Sequence, residues 1–407
     1  MKVDPISAGF DAGRLARIDE HLRTRYVEPG KIAGCQVLVS RRGQVALSSS
    51  LGSMDLERSK RVYDDTIWRL YSMTKPITGV ALMTLYERGH FQLSDPVHRF
   101  LPEWRDVLVR ERTEDGTPRL VAPARPMTVR DLLMHMAGIG FGPRAARLDF
   151  SSLLSGEPRG LSEGMTLEKL SELLAGEPLR SHPGTRWLYA WSTDICARLV
   201  EVVSGQQFDD YLRTSIFEPL AMVDTGFSVP DSEVNRFAAC YGRNAEKQLV
   251  LVDDPVESRY RTAPTFLSGG GGLVGTTADY LRFCRMLLNG GELDGVRILS
   301  RKTVELMSAN HIPGGGQIRD VAVPGGYGEV GFDGTGFGLT MAVGLGPTGT
   351  QSVGSAGEFM WGGLASTLFW IDPAEALIVV FMTQLIPSGT FNFRGQLHAL
   401  TYGALAD

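Results

Sequence analysis

Apolar residues recur at helical spacing through Leu15, Ile18 and Leu22, which predicts an amphipathic helix over residues 11–25. The period then changes. Residues 35–40 (CQVLVS) and 44–49 (QVALSS) are apolar-rich runs joined by Arg41-Arg42-Gly43, the pattern of a β-hairpin. The same texture returns near the other end, where residues 364–371 and 376–384 flank Asp372-Pro373-Ala374-Glu375. β-rich ends around a helix-rich middle predict one sheet built from both chain ends, with an inserted helical region between them.

Within the middle, residues 72–88 are helical in pattern and apolar nearly all round from Ile77 to Tyr86, as a buried helix is. Gly89 is placed to stop it. Thr128-Val129-Arg130-Asp131 has the form of a capping box before Leu132 and Leu133. Ser192 is expected to cap a helix that runs through Ile195, Leu199, Val202 and Val203 to Gly205. A further helix is expected from Thr277 to Asn289, ended by Gly290-Gly291. Residues 109–126 are charged and punctuated by prolines, and are expected to form a surface loop.

Composition narrows the class. The 407 residues are 21% charged and 43% hydrophobic, with a formal net charge of −5. This excludes a disordered or collagen-like chain. The length predicts two closely packed domains, or one domain with an insertion. A mildly acidic balance argues against nucleic-acid binding. The N-terminus has no apolar stretch of signal-peptide type, and the longest apolar run, residues 376–386, is too short to cross a bilayer. A cytoplasmic protein without membrane contact is expected. Cys35, Cys196, Cys240 and Cys284 form no CxxC pair, so buried free thiols are expected rather than disulfides or a zinc site. HExxH and a Walker P-loop are absent and no histidine pair has metal-ligand spacing, so neither metal nor cofactor is expected. Glycine is in excess: 48 of 407 residues is about 12%, against roughly 7% in ordinary proteins. The excess concentrates in residues 269–272, 314–338 and 354–363.

Candidate chemistry begins at Tyr71-Ser72-Met73-Thr74-Lys75-Pro76, which opens the buried helix. Positions i and i+3 share a helix face, so the Ser72 hydroxyl and the Lys75 amine can meet there. A serine hydroxyl needs a nearby base to become a nucleophile. Desolvation lowers a lysine pKa and supplies one. The helix N-terminus favours an oxyanion beside Ser72. The plain alternative is a serine cap with a solvent-facing lysine, but lysine is costly on an otherwise apolar helix. A second candidate is Ser162 in Gly160-Leu161-Ser162-Glu163-Gly164, which matches the G-x-S-x-G nucleophile elbow. That motif acts only on a turn from a buried strand into a helix, and residues 155–159 (SGEPR) cannot form such a strand. Ser162 is therefore expected in a loop before a helix from Thr166 onward.

Further segments make the pattern specific. Ser72–Lys75, Asp131-Leu132-Leu133-Met134-His135, residues 183–192 (PGTRWLYAWS), 268–280 (SGGGGLVGTTADY) and 361–373 (WGGLASTLFWIDP) occur in an order that resembles the serine β-lactamase-like superfamily. Within it the chain resembles the family VIII carboxylesterases, which have a class C β-lactamase fold. The resemblance implies an α/β (α+β) fold: an antiparallel sheet flanked by helices with an inserted, mostly helical domain. Residues 1–90 and 225–407 would form the sheet domain and 91–224 the helical one, with the active site between them.

The resemblance also implies Ser72 as nucleophile, Lys75 as its base partner and Tyr189 as the tyrosine of the second motif. Class C β-lactamases carry Tyr-x-Asn there and Lys-Thr-Gly in the third motif. This chain has Tyr189-Ala190-Trp191 and Trp361-Gly362-Gly363. Replacing the lysine by an indole removes a contact for a substrate carboxylate and adds an apolar wall. A neutral ester loses nothing by that, so a carboxylesterase for short- to medium-chain acyl esters is expected. The oxyanion donors would be the backbone N–H groups of Ser72 and Leu364, with Gly362 and Gly363 letting the strand approach the substrate. Tyr189 would relay protons, its pKa lowered by the Lys75 ammonium. Trp191 would line the pocket, and Asp194 would compensate the helix dipole or orient neighbouring groups. The rival readings are acyl transfer to an alcohol, weak cleavage of a β-lactam or D-amino-acid peptide, and a non-catalytic scaffold on the same fold.

Overall fold

The computed structural model describes residues 2–113, 115–140 and 164–407. The longest apolar runs form strands buried on both faces, as expected where helices cover a sheet from each side. These are β1 (Gly34–Arg41), β7 (Leu368–Asp372) and β8 (Leu377–Thr383), every residue of which is buried. With β2 (Gln44–Asp55), β3 (Lys60–Arg61), β4 (Thr335–Phe337), β5 (Ala342–Gly344) and β6 (Phe359–Gly362) they make an eight-stranded antiparallel sheet in the order β4-β5-β6-β7-β8-β1-β2-β3. The two chain ends meet at its centre, where β1 pairs with β8 from Cys35↔Thr383 to Arg41↔Leu377.

Local chemistry sets both predicted hairpins. Arg42 and Gly43 have φ of 52° and 79°, the handedness that two-residue hairpin turns require. At the other hairpin the Asp372 carboxylate accepts from the backbone N–H groups of Ala374 and Glu375 at 3.0 and 3.3 Å, closing the turn between β7 and β8.

Neighbouring side chains on β7 show how the sheet is covered. Phe369 packs on Tyr280 of one helix, with ring centroids 5.1 Å apart, while Trp370 meets His398 of another at 4.1 Å. Successive strand residues face opposite ways. The helices carrying Tyr280 (Thr277–Leu288) and His398 (Phe393–Tyr402) therefore lie on opposite faces. The helix expected after Ser72 is preceded by one 3₁₀ turn, Tyr71–Met73, and becomes α1 (Thr74–Glu87), buried from Thr74 to Leu85. It ends at Gly89 with φ of 77°. It packs on α2 (Ser192–Ser204), which ends at left-handed Gly205. The capping box at Thr128 is present, and Thr166 caps Leu167–Ala175. All four cysteines are buried and free. Among the described residues no helix is long and apolar enough to cross a membrane.

Two expectations need correction. Residues 109–126 are not merely a loop: Val109–Arg112 pairs with Pro118–Val121, turning at Asp115-Gly116. The pairing hides from hydrophobic periodicity because both strands are largely exposed and the first is mostly charged, with Glu111 and Arg119 paired across them at 3.0 Å. Ser192 is not the cap of α2. The helix already turns at Trp191, whose carbonyl accepts from the N–H of Asp194 at 3.0 Å, and Ser192 is its first residue.

Gly79 lies inside α1, where alanine ordinarily gains about 1 kcal/mol of helix propensity. A Cβ there would stand 2.1 Å from Thr340 Oγ1 and 3.0 Å from Thr340 Cγ2. Thr340 is fully buried, and its N–H is tied to the Leu133 carbonyl at 2.8 Å, so it has little room to withdraw. Overpacking of this kind costs about 1–3 kcal/mol, more than the propensity gain. Gly79→Ala is expected to lower the urea unfolding midpoint; an unchanged or raised midpoint would contradict the close approach.

Candidate active site

A short antiparallel ladder delivers Ser72. Ile67–Arg69 pairs with Val274–Thr276, and Leu70 N–H bonds to the Leu273 carbonyl at 2.9 Å. The chain then turns through Tyr71, whose φ of 45° is strained for an aromatic residue. Ser72 follows in the 3₁₀ turn, and Tyr280 donates from the sheet-covering helix to the Met73 carbonyl at 2.9 Å. Lys75 stands one turn on. Ser72 and Lys75 are each 3% exposed. The Lys75 amine donates to Ser72 Oγ at 3.2 Å and to the Gly270 carbonyl at 2.6 Å, and lies 4.5 Å from the centre of the Tyr189 ring. Burial pulls its pKa down to about 8, against the opposing pull of Asp194 and Glu329.

Asp194 sets the position of the Gly270 carbonyl. It lies in the first turn of α2, and its Oδ1 accepts from Ser268 Oγ at 2.7 Å and from Gly270 N–H at 3.1 Å. Thr78 of α1 donates to the Gly269 carbonyl at 2.7 Å. The first glycine cluster is what lets this loop lie so close to two helices. A Cβ on Gly269 would be 2.5 Å from Ala197 Cβ, and one on Gly270 would be 2.5 Å from Asp194 Oδ2.

Tyr189 belongs to a buried aromatic group. It stacks on Trp187 at 5.9 Å and meets His135 at 4.9 Å and Trp361 at 5.3 Å edge to face. Its hydroxyl is buried and makes no hydrogen bond of ordinary geometry among the described residues, although Ser72 and Trp361 are near enough to favour the phenolate. Burial, followed by the Glu329 carboxyl, outweighs them and pushes the pKa well above the usual tyrosine value. The expected lowering by Lys75 is therefore reversed. The amine faces the ring rather than the hydroxyl, and removing a phenolate from water dominates. His135 has φ of 55°, is fully buried, and is driven well below the usual histidine range by burial and by Lys75. Its carbonyl accepts from Leu188 N–H at 2.8 Å and so positions the Tyr189 segment.

A cavity of about 490 Å³ opens onto Ser72 and Lys75, and is lined also by Trp191, Asp194, Phe227 and Leu364. Trp361, Gly362 and Gly363 do not line it. Trp361 is fully buried behind Tyr189. A Cβ on Gly363 would stand 2.4 Å from the Leu70 carbonyl, so this glycine admits the backbone that leads into Ser72 rather than a substrate. Gly362 faces Glu329 and Arg394. A larger cavity of about 880 Å³, bounded by Glu329, Glu358 and Arg394, contains none of Ser72, Lys75 and Tyr189. Ser162 lies outside the described residues. Among those residues no cluster of acidic, histidine or cysteine side chains could hold a metal ion.

Residues 20–402 match the family model described as Beta-lactamase. The protein Rv1367c of Mycobacterium tuberculosis is 30% identical over 363 residues, 88% of each chain. Esterase EstB of Burkholderia gladioli is 29% identical over 417 aligned positions, 95% of each chain. The solved structure of EstCE1, a hydrolase with promiscuous acyltransferase activity, superposes with a TM-score of 0.77 at 25% identity, covering 97% of this chain and 99% of its own.

A base that titrates near 8 makes serine reactivity rise with pH. Inactivation by a fluorophosphonate is expected to climb through neutral pH and level off above a midpoint of about 8. Asp194→Asn removes an anion that holds the ammonium form, so its midpoint should move to lower pH. A pH-independent rate, or a shift to higher pH, would contradict this electrostatic arrangement.

Proposed function

The chain belongs to the Beta-lactamase family and is a serine hydrolase of carboxylesterase type, and from that premise we propose that Ser72 forms an acyl-enzyme with short- to medium-chain acyl esters. The observation that carries the reading is the buried 3.2 Å contact between Ser72 Oγ and a lysine brought to about 8. Neutral Lys75 takes the Ser72 proton as Oγ attacks the ester carbonyl. The oxyanion is received by the backbone N–H groups of Ser72 and Leu364. Tyr189, a neutral phenol, gives its proton to the departing alkoxide, and the Lys75 ammonium returns one to it after swinging from the ring face, where it rests, toward the hydroxyl. The reverse relay activates water, which releases the acid and returns the proton to Ser72.

An apolar residue, Trp361, in place of the third-motif lysine supports ester over β-lactam or D-amino-acid peptide as substrate. The same acyl-enzyme can pass its acyl group to an alcohol. That second reading is favoured by the similarity to EstCE1, a hydrolase with promiscuous acyltransferase activity.

Ser72→Ala, Lys75→Ala and Tyr189→Phe are each expected to lower p-nitrophenyl butyrate turnover by about 10²-fold or more while the protein remains folded by circular dichroism. Mass spectrometry should place a phosphonate adduct on Ser72. Labelling at Ser162, or full activity in folded Ser72→Ala, would overturn the assignment. Added butanol should divert part of the acyl group into butyl ester, and nitrocefin should turn over far more slowly than the aryl ester.

A further inference from the structure

The Ser72 cavity carries a charge that the proposed chemistry does not use. Its wall is largely aromatic and aliphatic, with Met165, Trp191, Phe227, Phe266 and Leu364, and suits a carbon skeleton. Three charged side chains among the described residues interrupt that wall: Lys75, Asp194 and Arg259. Two are already engaged, Lys75 by Ser72 and Gly270, and Asp194 by Ser268 and Gly270. Arg259 differs. Its guanidinium donates to the Tyr260 hydroxyl at 3.3 Å and stands 5.1 Å from that ring's centre, but no carboxylate of the described residues pairs with it. The neighbouring arginines are paired, Arg69 with Asp253 at 2.7 Å and Arg261 with Asp231.

The turn that bears Arg259 is held from below. Ser258 is buried, and its Oγ accepts from Tyr260 N–H at 3.3 Å and from Arg69 at 3.3 Å while donating to Asp253 at 3.2 Å. The cation is thus presented to the cavity on a fixed base, and a guanidinium remains charged at any working pH. An unpaired cation beside an apolar wall complements a ligand with a carbon chain and an anionic end.

We propose that Arg259 selects esters bearing a carboxylate, so that the substrate is an acid ester rather than a neutral one. This rests on the Ser72 esterase reading and deepens it. The substrate-binding cation absent at Trp361 would be supplied from the turn at Ser258–Thr262. The carboxylate can belong to the acyl half, as in a dicarboxylic half-ester, or to the alcohol half.

Substrate pairs distinguish these. Mono-p-nitrophenyl adipate against p-nitrophenyl butyrate places the charge on the acyl half; 4-acetoxybenzoate against phenyl acetate places it on the alcohol half. The wild-type protein is expected to prefer the charged member of at least one pair by kcat/KM. Arg259→Met should reduce that preference about tenfold, chiefly through KM, and Arg259→Lys should restore part of it. Arg259→Glu should turn the preference toward the neutral member. Calorimetry with monomethyl adipate on Ser72→Ala, with and without Arg259→Met, reads acyl-half binding without turnover, and about tenfold weaker binding in the double variant is expected. Hydrolysis of neutral esters at Ser72 with no preference in either pair, or equal loss on both members in Arg259→Met, would overturn the role of Arg259 and leave the esterase reading standing. Absence of hydrolysis of all four esters, with carboxylate binding that still depends on Arg259, would overturn the esterase reading and retain the anion site.

Discussion

A lysine amine held out of water governs this site. Burial alone disfavours the ammonium, and an unpaired buried cation would cost several kcal/mol. Among the described residues Lys75 is compensated without a direct carboxylate: a carbonyl from Gly270, the Ser72 hydroxyl, the face of Tyr189, and the more distant Asp194 and Glu329. Partial compensation leaves its pKa at about 8, so both protonation states are accessible near neutrality. A salt bridge in the same position would have held the charge and removed the base.

The surrounding architecture serves that placement. The Gly270 carbonyl is where it is because Asp194 grips the loop by its serine hydroxyl and its backbone. Tyr71 is held at positive φ, a conformation worth of order 1–3 kcal/mol of strain, by the ladder before it and by the close docking of Gly363 on the Leu70 carbonyl. The docking segment follows β6, whose position depends on a sheet joined from both chain ends. Glu329 adds a carboxyl that acts on both Lys75 and Tyr189 and is held by Ser388 at 2.8 Å.

The elements most legible in the sequence were those with local causes. The two central hairpins, the buried helix after Ser72 and the capping box at Thr128 each follow from turn residues, hydrophobic period or a cap within a few positions. The hairpin at 109–121 escapes the sequence pattern because its strands are short and mostly exposed, so no buried face imposes an apolar alternation. Asp194 was visible as a first-turn acid, but its partners lie 74 and 76 residues away. Glu329 and Arg259 stand in no motif, and their relation to the site exists only after folding.

Sequence alone was enough to establish a sheet shared by the chain ends, the juxtaposition of Ser72 and Lys75 one turn apart, and the absence of a lysine where Trp361 stands. Those depend on period, turn chemistry and residue identity, which are local. Only the tertiary structure decided protonation and approach. It raised the Tyr189 pKa rather than lowering it, turned Gly363 toward the protein's own backbone, and left Arg259 on the cavity wall with no carboxylate partner among the described residues. Each of these depends on desolvation or on contacts between segments far apart in the chain, and no stretch of sequence contains the distances that decide them.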